Sequence, residues 1–197
     1  IDANSGAGCD SYILPTITGT GVSGAKYYTG QNGAGTQYSA GDVITASTTL
    51  YMYVSAGACS VEEVFEVTIT QTPVLDDPIN ATLCETYELP TITGSGLSGN
   101  QSYWTGSGGT GTQHIAGDLI TSSITLYVYD EVGGCSTEKV LTIDIINNPT
   151  IDANSGAGCD SYILPTITGT GVSGAKYYTG QNGTGTQYSA GDVITAS

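Results

Sequence analysis

The residues of this chain with the strongest claim to chemistry are five cysteines, Cys9, Cys59, Cys84, Cys135 and Cys159. Thiols can hold a metal or close disulfides. A zinc centre draws on clustered Cys and His ligands, typically with a Cys-x-x-Cys pair, and here no such pair exists and His114 is the single histidine. Catalysis by His114 fails as well: in the flanking pattern Thr-Gln-x-x-Ala-Gly-Asp its place is taken by Tyr38 and Tyr188, and no acid, base and nucleophile set accompanies it. The glycine-rich string Gly106-Ser107-Gly108-Gly109-Thr110-Gly111 has no Lys-Ser/Thr ending and opens no helix, so it is no phosphate cradle. The expected protein is not an enzyme.

Internal repetition gives the cysteines their meaning. Residues 1–47 return as residues 151–197 with one change, Ala34 to Thr184, at an offset of 150. A diverged copy lies between: Cys9-Asp-Ser-Tyr-Ile-Leu-Pro-Thr-Ile-Thr-Gly reappears as Cys84-Glu-Thr-Tyr-Glu-Leu-Pro-Thr-Ile-Thr-Gly, 75 residues on. Later landmarks, Cys59 with Cys135 and Pro73 with Pro149, are 76 apart, so one residue is inserted between Gly99 and Tyr103. The expected domains are 1–73, 74–149 and 150–197, the last cut short, as a window on a longer array. Each unit holds one early and one late cysteine. Pairing within units is the economical connectivity: Cys9 with Cys59, Cys84 with Cys135, and Cys159 with a partner beyond Ser197. Each bridge would close a loop of roughly 50 residues and contribute about 4 kcal/mol by chain entropy. Under tension, extension would be confined to the stretch between Cys59 and Cys84.

The elements that must position these residues read as strands. No window carries a helical apolar stripe, whereas short alternating runs are many. In Thr48-Thr49-Leu50-Tyr51-Met52-Tyr53-Val54, Leu50, Met52 and Val54 share one face and Tyr51 and Tyr53 the other. Val64–Ile69 and Val140–Ile145 are the closing strands, and Gln31-Asn32-Gly33 and Ala40-Gly41-Asp42 are turns. The fold class is all-β: tandem Ig-like antiparallel β-sandwich repeats of about 75 residues. Proline-stiffened connectors, residues 71–78 and 147–152, make a semi-rigid string of beads.

Two weaker site readings concern ligands. Tyr27-Tyr28, Tyr103-Trp104 and Tyr177-Tyr178 recur at one position, and neighbours on a strand face opposite ways, so Tyr28, Trp104 and Tyr178 are candidate glycan contacts. Acidic and amide residues gather at the junctions: Asp76 and Asp77 at one, Asn148, Asp152 and Asn154 at the other. Calcium takes such oxygens, so Asp76, Asp77 and Asp152 are calcium candidates, although no loop has the carboxylate spacing of a dedicated site. Asn80, Asn100 and Asn182 fit the N-glycosylation pattern. With 18 acidic residues against three lysines, the net charge of -15 repels phosphate backbones and disfavours nucleic acid. No apolar stretch is long enough to insert into a membrane.

The ordered motifs Cys-x-x-Tyr-x-Leu-Pro-x-Ile-Thr-Gly, Tyr-Tyr/Trp-Thr-Gly, Gly-Thr-Gln, Ala-Gly-Asp-x-Ile-Thr, Thr-Leu-Tyr-x-Tyr and Gly-x-Cys-Ser resemble the repeats of very large, SprB-like surface adhesins of gliding Bacteroidota. The resemblance covers all but the connectors. It implies type 9 secretion, an extracellular, cell-surface location, and display as filaments in surface attachment and gliding motility. The implied partners are surface polysaccharide or a solid substratum, with the gliding and secretion machinery engaged through regions outside this chain. The other reading is of tandem carbohydrate-binding modules in a secreted polysaccharide-binding protein.

Overall fold

Alternating burial builds the main sheet of the first repeat. Along Thr48–Ala56, Leu50 and Met52 are buried while Tyr51 and Tyr53 turn to the opposite face, as a pleated strand requires. The structure is a computed structural model and describes residues 1–2, 4–152 and 155–195. The first repeat contains β1 (Asn4–Cys9), β2 (Tyr12–Ile13), β3 (Lys26–Gly30), β4 (Ala34–Tyr38), β5 (Val43–Ile44), β6 (Thr48–Ala56) and β7 (Cys59–Thr70). Five of these form a sheet in the order β1-β7-β6-β3-β4, and β2 pairs with β5. Between the two sheets lies a core of Leu14, Tyr27, Ile44, Leu50, Met52, Phe65 and Val67. Phe65 meets the Tyr27 ring edge-on at 5.2 Å between centroids. Seven strands in two sheets around one core make an Ig-like sandwich.

One pairing departs from the antiparallel expectation. β1 runs parallel to β7, in register from Asn4 opposite Phe65 to Cys9 opposite Thr70. First and last strands of the repeat therefore lie side by side and point the same way.

The second repeat has the same plan: β8 (Val74–Leu75), β9 (Ala81–Cys84), β10 (Tyr87–Glu88), β11 (Gly94–Ser95), β12 (Ser102–Gly106), β13 (Thr110–His114), β14 (Leu119–Ile120), β15 (Ile124–Val132) and β16 (Cys135–Ile146). Its main sheet is ordered β13-β12-β15-β16-β9, and β9 is again parallel to the closing strand. In the third repeat the strands are β17 (Thr150–Ile151), β18 (Ser161–Ile163), β19 (Gly169–Thr170), β20 (Tyr177–Tyr178), β21 (Gln187–Tyr188) and β22 (Val193–Thr195), pairing β17–β19, β18–β22 and β20–β21. By packing, the chain forms two compact units, one of Ile1–Asn80, Glu88–Asp118 and Ile124–Thr142, the other of Ala81–Tyr87, Leu119–Ser123 and Ile143–Ser197.

The connectors are not free linkers. β8 and β17, read from the sequence as linker, pair with β11 and β19, and Pro73 and Leu75 are buried. Gly94 lets β8 approach, since a Cβ there would lie 2.1 Å from the Val74 carbonyl oxygen. The same backbone bond recurs in all three repeats: Asp2 N–H to Thr18 O, Asp76 N–H to Thr93 O, and Asp152 N–H to Thr168 O.

The Ala-Gly-Asp turns hold as read: Asp42, Asp118 and Asp192 each accept the backbone N–H three residues earlier. At Asn32, φ is 56°, the left-handed conformation that an Asn-Gly turn tolerates. The loop just before the insertion in the second repeat has its own anchor. Asp130, buried where the first repeat has Val54, accepts from the Ser98 N–H at 2.9 Å and from the Ser98 hydroxyl. A buried carboxylate in that position is tolerated because both oxygens are satisfied.

Tyr27 ties β3 to the segment that follows β2 through its hydroxyl, which donates to Pro15 O at 2.9 Å. Burial first, and the neighbouring Tyr12 second, push its pKa up to about 12. The unfolded chain releases this proton near the ordinary value of 10, so the folded state is favoured fully below pH 10. That advantage is lost as pH rises toward 12. Chemical denaturation monitored by circular dichroism should show falling stability from pH 10 to 12, and Tyr27→Phe should flatten the fall. At neutral pH, Tyr27→Phe should cost about 1 kcal/mol for the lost hydrogen bond.

Candidate functional site

The parallel pairing of β1 with β7 decides which cysteines can meet. Cys9 ends β1 opposite Thr70, the last residue of β7, whereas Cys59 is the first residue of the same strand. At about 3.3 Å per residue, Cys59 lies roughly 35 Å from Thr70. A disulfide needs Cα atoms within about 7 Å. The expected Cys9–Cys59 bond is therefore geometrically closed off. Cys9 is instead bonded to Cys135 of the second repeat, with S–S 2.08 Å and Cα–Cα 5.6 Å. The expected Cys84–Cys135 bond fails for the same reason, since Cys84 pairs with Ile146 at one end of β16 and Cys135 opens the other. Cys59, Cys84 and Cys159 are free, exposed thiols.

Cys135 follows the tight turn that joins β15 to β16, where Gly133 has φ 56°. This hairpin tip rests on the end of the first repeat. Cys135 is only 3% exposed, and its Sγ lies 3.7 Å from Thr70 O. A Cβ on Gly133 would touch Thr70 Cγ2 at 3.2 Å, so the glycine serves both the turn and the close approach.

Polar contacts clasp the same junction. Asp10 adopts φ 61°, its N–H donates to Thr70 O, and its carboxylate accepts from both the N–H and the hydroxyl of Thr72 at 2.8 Å. Those two bonds hold the Asp10 carboxyl below its usual pKa. Lys139 Nζ reaches Asp77 at 2.7 Å, and this ion pair lowers the pKa of Asp77. Both partners are solvent-exposed, so the pair orients the junction more than it stabilises it. Nearby, Asn80 Oδ1 accepts the Thr142 N–H at 2.8 Å.

The calcium candidates do not converge. Asp76 accepts the Thr93 hydroxyl at 2.6 Å, repeating the Asp2–Thr18 bond of the first repeat, and Asp77 is taken by Lys139. Asn148 donates to Glu85. Asp152 borders a groove of about 400 Å³ with Ile151, Ile167 and Tyr177. Their counterparts Ile1, Ile17 and Tyr27 belong to, or pack on, the first repeat's core, so this groove is the inner face of a sandwich. Asn154 lies outside the described residues. Among the described residues, no three His, Cys, Asp or Glu side chains are grouped to hold a metal.

The aromatic candidates stay on separate repeats. Tyr27 and Tyr103 are core, and Tyr28 and Trp104 lie half-buried on the opposite face, while Tyr178 is 42% exposed. Tyr28 sits across from Tyr51 and meets Tyr53 edge-on at 6.1 Å. Trp104 sits across from Tyr127, and its indole N–H is buried without a hydrogen-bond partner. The neighbours Tyr51, Tyr53 and Tyr127 were not named as contacts from sequence, though their alternation with Leu50, Met52 and Leu126 places them on this face. The aromatic surface is therefore wider than one residue per repeat.

No family model and no curated protein matches this sequence. Among solved structures, the titin I-band fragment I67–I69 is similar at 10% identity and TM-score 0.42, over 85% of this chain and 73% of that one. The N-terminal four Ig domains of Dscam1 isoform 6.9 align at 14% identity and TM-score 0.33, over 73% of this chain. The alignment spans 43% of that Dscam1 chain, less than half its length.

Proteolysis of the unreduced protein followed by mass spectrometry should yield a Cys9–Cys135 cross-linked peptide. Alkylation before reduction should label Cys59, Cys84 and Cys159 and spare the other two. Recovery of a Cys9–Cys59 peptide would overturn this connectivity.

Proposed function

We propose that this chain belongs to the repeat array of a long cell-surface filament used in surface attachment and gliding motility, exported by type 9 secretion. The observation that carries the reading is the Cys9–Cys135 bond, a covalent tie between two sequence repeats. A binding module that acts alone gains little from such a tie, whereas a module that carries load gains a bypass. Tension entering at Cys9 crosses directly to Cys135, and residues 10–134 are relieved of it. This shielded stretch is much longer than the one expected from pairing within a repeat. Closing a loop with a sequence separation of 126 also favours the folded state. In the chain-entropy account this amounts to about 5 kcal/mol. Such a bond persists in an oxidising, extracellular setting. The net charge of -15 keeps neighbouring filaments apart and in solution. Contact with polysaccharide or a solid substratum, and with the gliding and secretion machinery, falls to the surface of the array and to other regions of the protein.

A second reading, tandem carbohydrate-binding modules, draws on Trp104. Its half-buried, outward ring beside Tyr127 offers a stacking surface. Repetition would then raise avidity.

Antibodies against the 197-residue chain should label filaments on intact cells, and deletion of the repeat region should abolish attachment and gliding on glass and agar. Normal gliding in the deletion strain would sink the first reading. Retention of the chain on cellulose, chitin or agar, lost on Trp104→Ala, would favour the second.

A further inference from the structure

We propose that the staple recurs with a one-repeat offset along the array. The first cysteine of each repeat bonds the hairpin-tip cysteine of the next repeat. Cys84 is then the thiol that receives the tip cysteine of the third repeat, and Cys59 is the tip thiol offered to the first cysteine of a preceding repeat.

The chain displays the same local geometry twice. Cys9 and Cys84 each end a strand parallel to the closing strand of their own repeat, opposite Thr70 and Ile146 respectively. Each is followed by an acidic residue in the left-handed conformation, Asp10 at φ 61° and Glu85 at φ 70°. The N–H of that residue donates to the carbonyl opposite the cysteine, Asp10 to Thr70 O at 2.9 Å and Glu85 to Ile146 O at 3.2 Å. The next N–H folds back on the cysteine's own carbonyl, Ser11 to Cys9 O and Thr86 to Cys84 O. Each acidic side chain then grips the segment leading into the following repeat, Asp10 at Thr72 and Glu85 at Asn148. Cys84 is thus presented as Cys9 is, yet it is a free, exposed thiol.

The donor side repeats too. Cys59 and Cys135 each open the last long strand of their repeat, after a turn with glycine at positive φ, Gly57 at 63° and Gly133 at 56°. Of the two, Cys135 lies against Thr70 of the preceding repeat, and it is the one that is buried and bonded. An offset rule explains all five cysteines at once, whereas pairing within repeats is excluded by strand length.

Closure is an ordinary thiol–disulfide exchange. A thiolate of one cysteine attacks a disulfide oxidant such as oxidised glutathione, forming a mixed disulfide and releasing one glutathione thiol. The second cysteine displaces the other glutathione, so two protons and two electrons leave the protein and the oxidant becomes two thiols. Because each staple spans more than one repeat length, consecutive staples overlap. Two interleaved ladders result, and reduction of one bond leaves the other ladder intact. Along either ladder, only the stretch equivalent to residues 135–159 bears load between staples.

The test extends the 197-residue chain after Ser197 with a second copy of residues 48–72, completing the third repeat with the sequence of the first. Oxidised in a glutathione buffer and mapped without reduction, this protein should hold Cys9–Cys135 and a new bond from Cys84 to the added tip cysteine. Cys59 and Cys159 should remain thiols. Changing Cys84→Ser should free the added cysteine without affecting Cys9–Cys135, and Cys135→Ser should leave the new bond in place. The Cys9–Cys135 bond reports that the first junction has folded. A bond from the added cysteine to Cys159, or Cys84 persisting as a thiol while Cys9–Cys135 forms, overturns the proposal.

Discussion

The parallel pairing of the first strand of a repeat with its last is the constraint on which the rest of this structure depends. It carries the early cysteine to the far end of a twelve-residue closing strand, away from the late cysteine that begins it. The cysteine is delivered to the edge where the next repeat starts. There it meets a hairpin tip from that repeat, and a bond that spacing alone assigns within one sandwich becomes a bond between two. Burial of Cys135 against Thr70 and the glycine contact at the tip follow from the same placement.

Around this bond the chain relies on small polar fixtures, as suits a protein with few charges and a small core. Backbone bonds at Asp2, Asp76 and Asp152 recruit the connector into the following sandwich in each repeat. Asp10 reaches forward to Thr72, and Lys139 reaches back to Asp77. Each contact is weak singly, but together with buried Pro73 and Leu75 they turn a connector into structure. At the first junction the Asp10 carboxylate is engaged by Thr72, that of Asp76 by Thr93 and that of Asp77 by Lys139. Just before the second repeat gains a residue, Asp130 stands where the first repeat has Val54 and holds Ser98, and the main sheet keeps the same strand order.

The aromatic surface shows how a pleat divides one motif between two tasks. Tyr27 and Tyr103 fill cores and donate to Pro15 and Pro90, while Tyr28 and Trp104 face outward beside the tyrosines of the next strand. In the first two repeats the same two-residue motif therefore places one ring in the core and the other on the outer face.

Much of this was legible in the order of residues. The repeats, the all-β class, the turns at Asn32 and at Asp42, Asp118 and Asp192, and the split of each aromatic pair follow from self-similarity, turn chemistry and the two-residue period of a strand. These are local properties, set by the sterics of a few neighbouring residues. The partner of a cysteine is not local. Sequence showed that the cysteines recur with the repeats, and it suggested that they close pairs within a repeat. Only the tertiary structure decided otherwise, because the direction in which Asn4–Cys9 runs beside Cys59–Thr70 is a choice between two ladders of nearly equal energy. That direction is decided by the packing of the whole sandwich, and it moves Cys9 from one end of a long strand to the other.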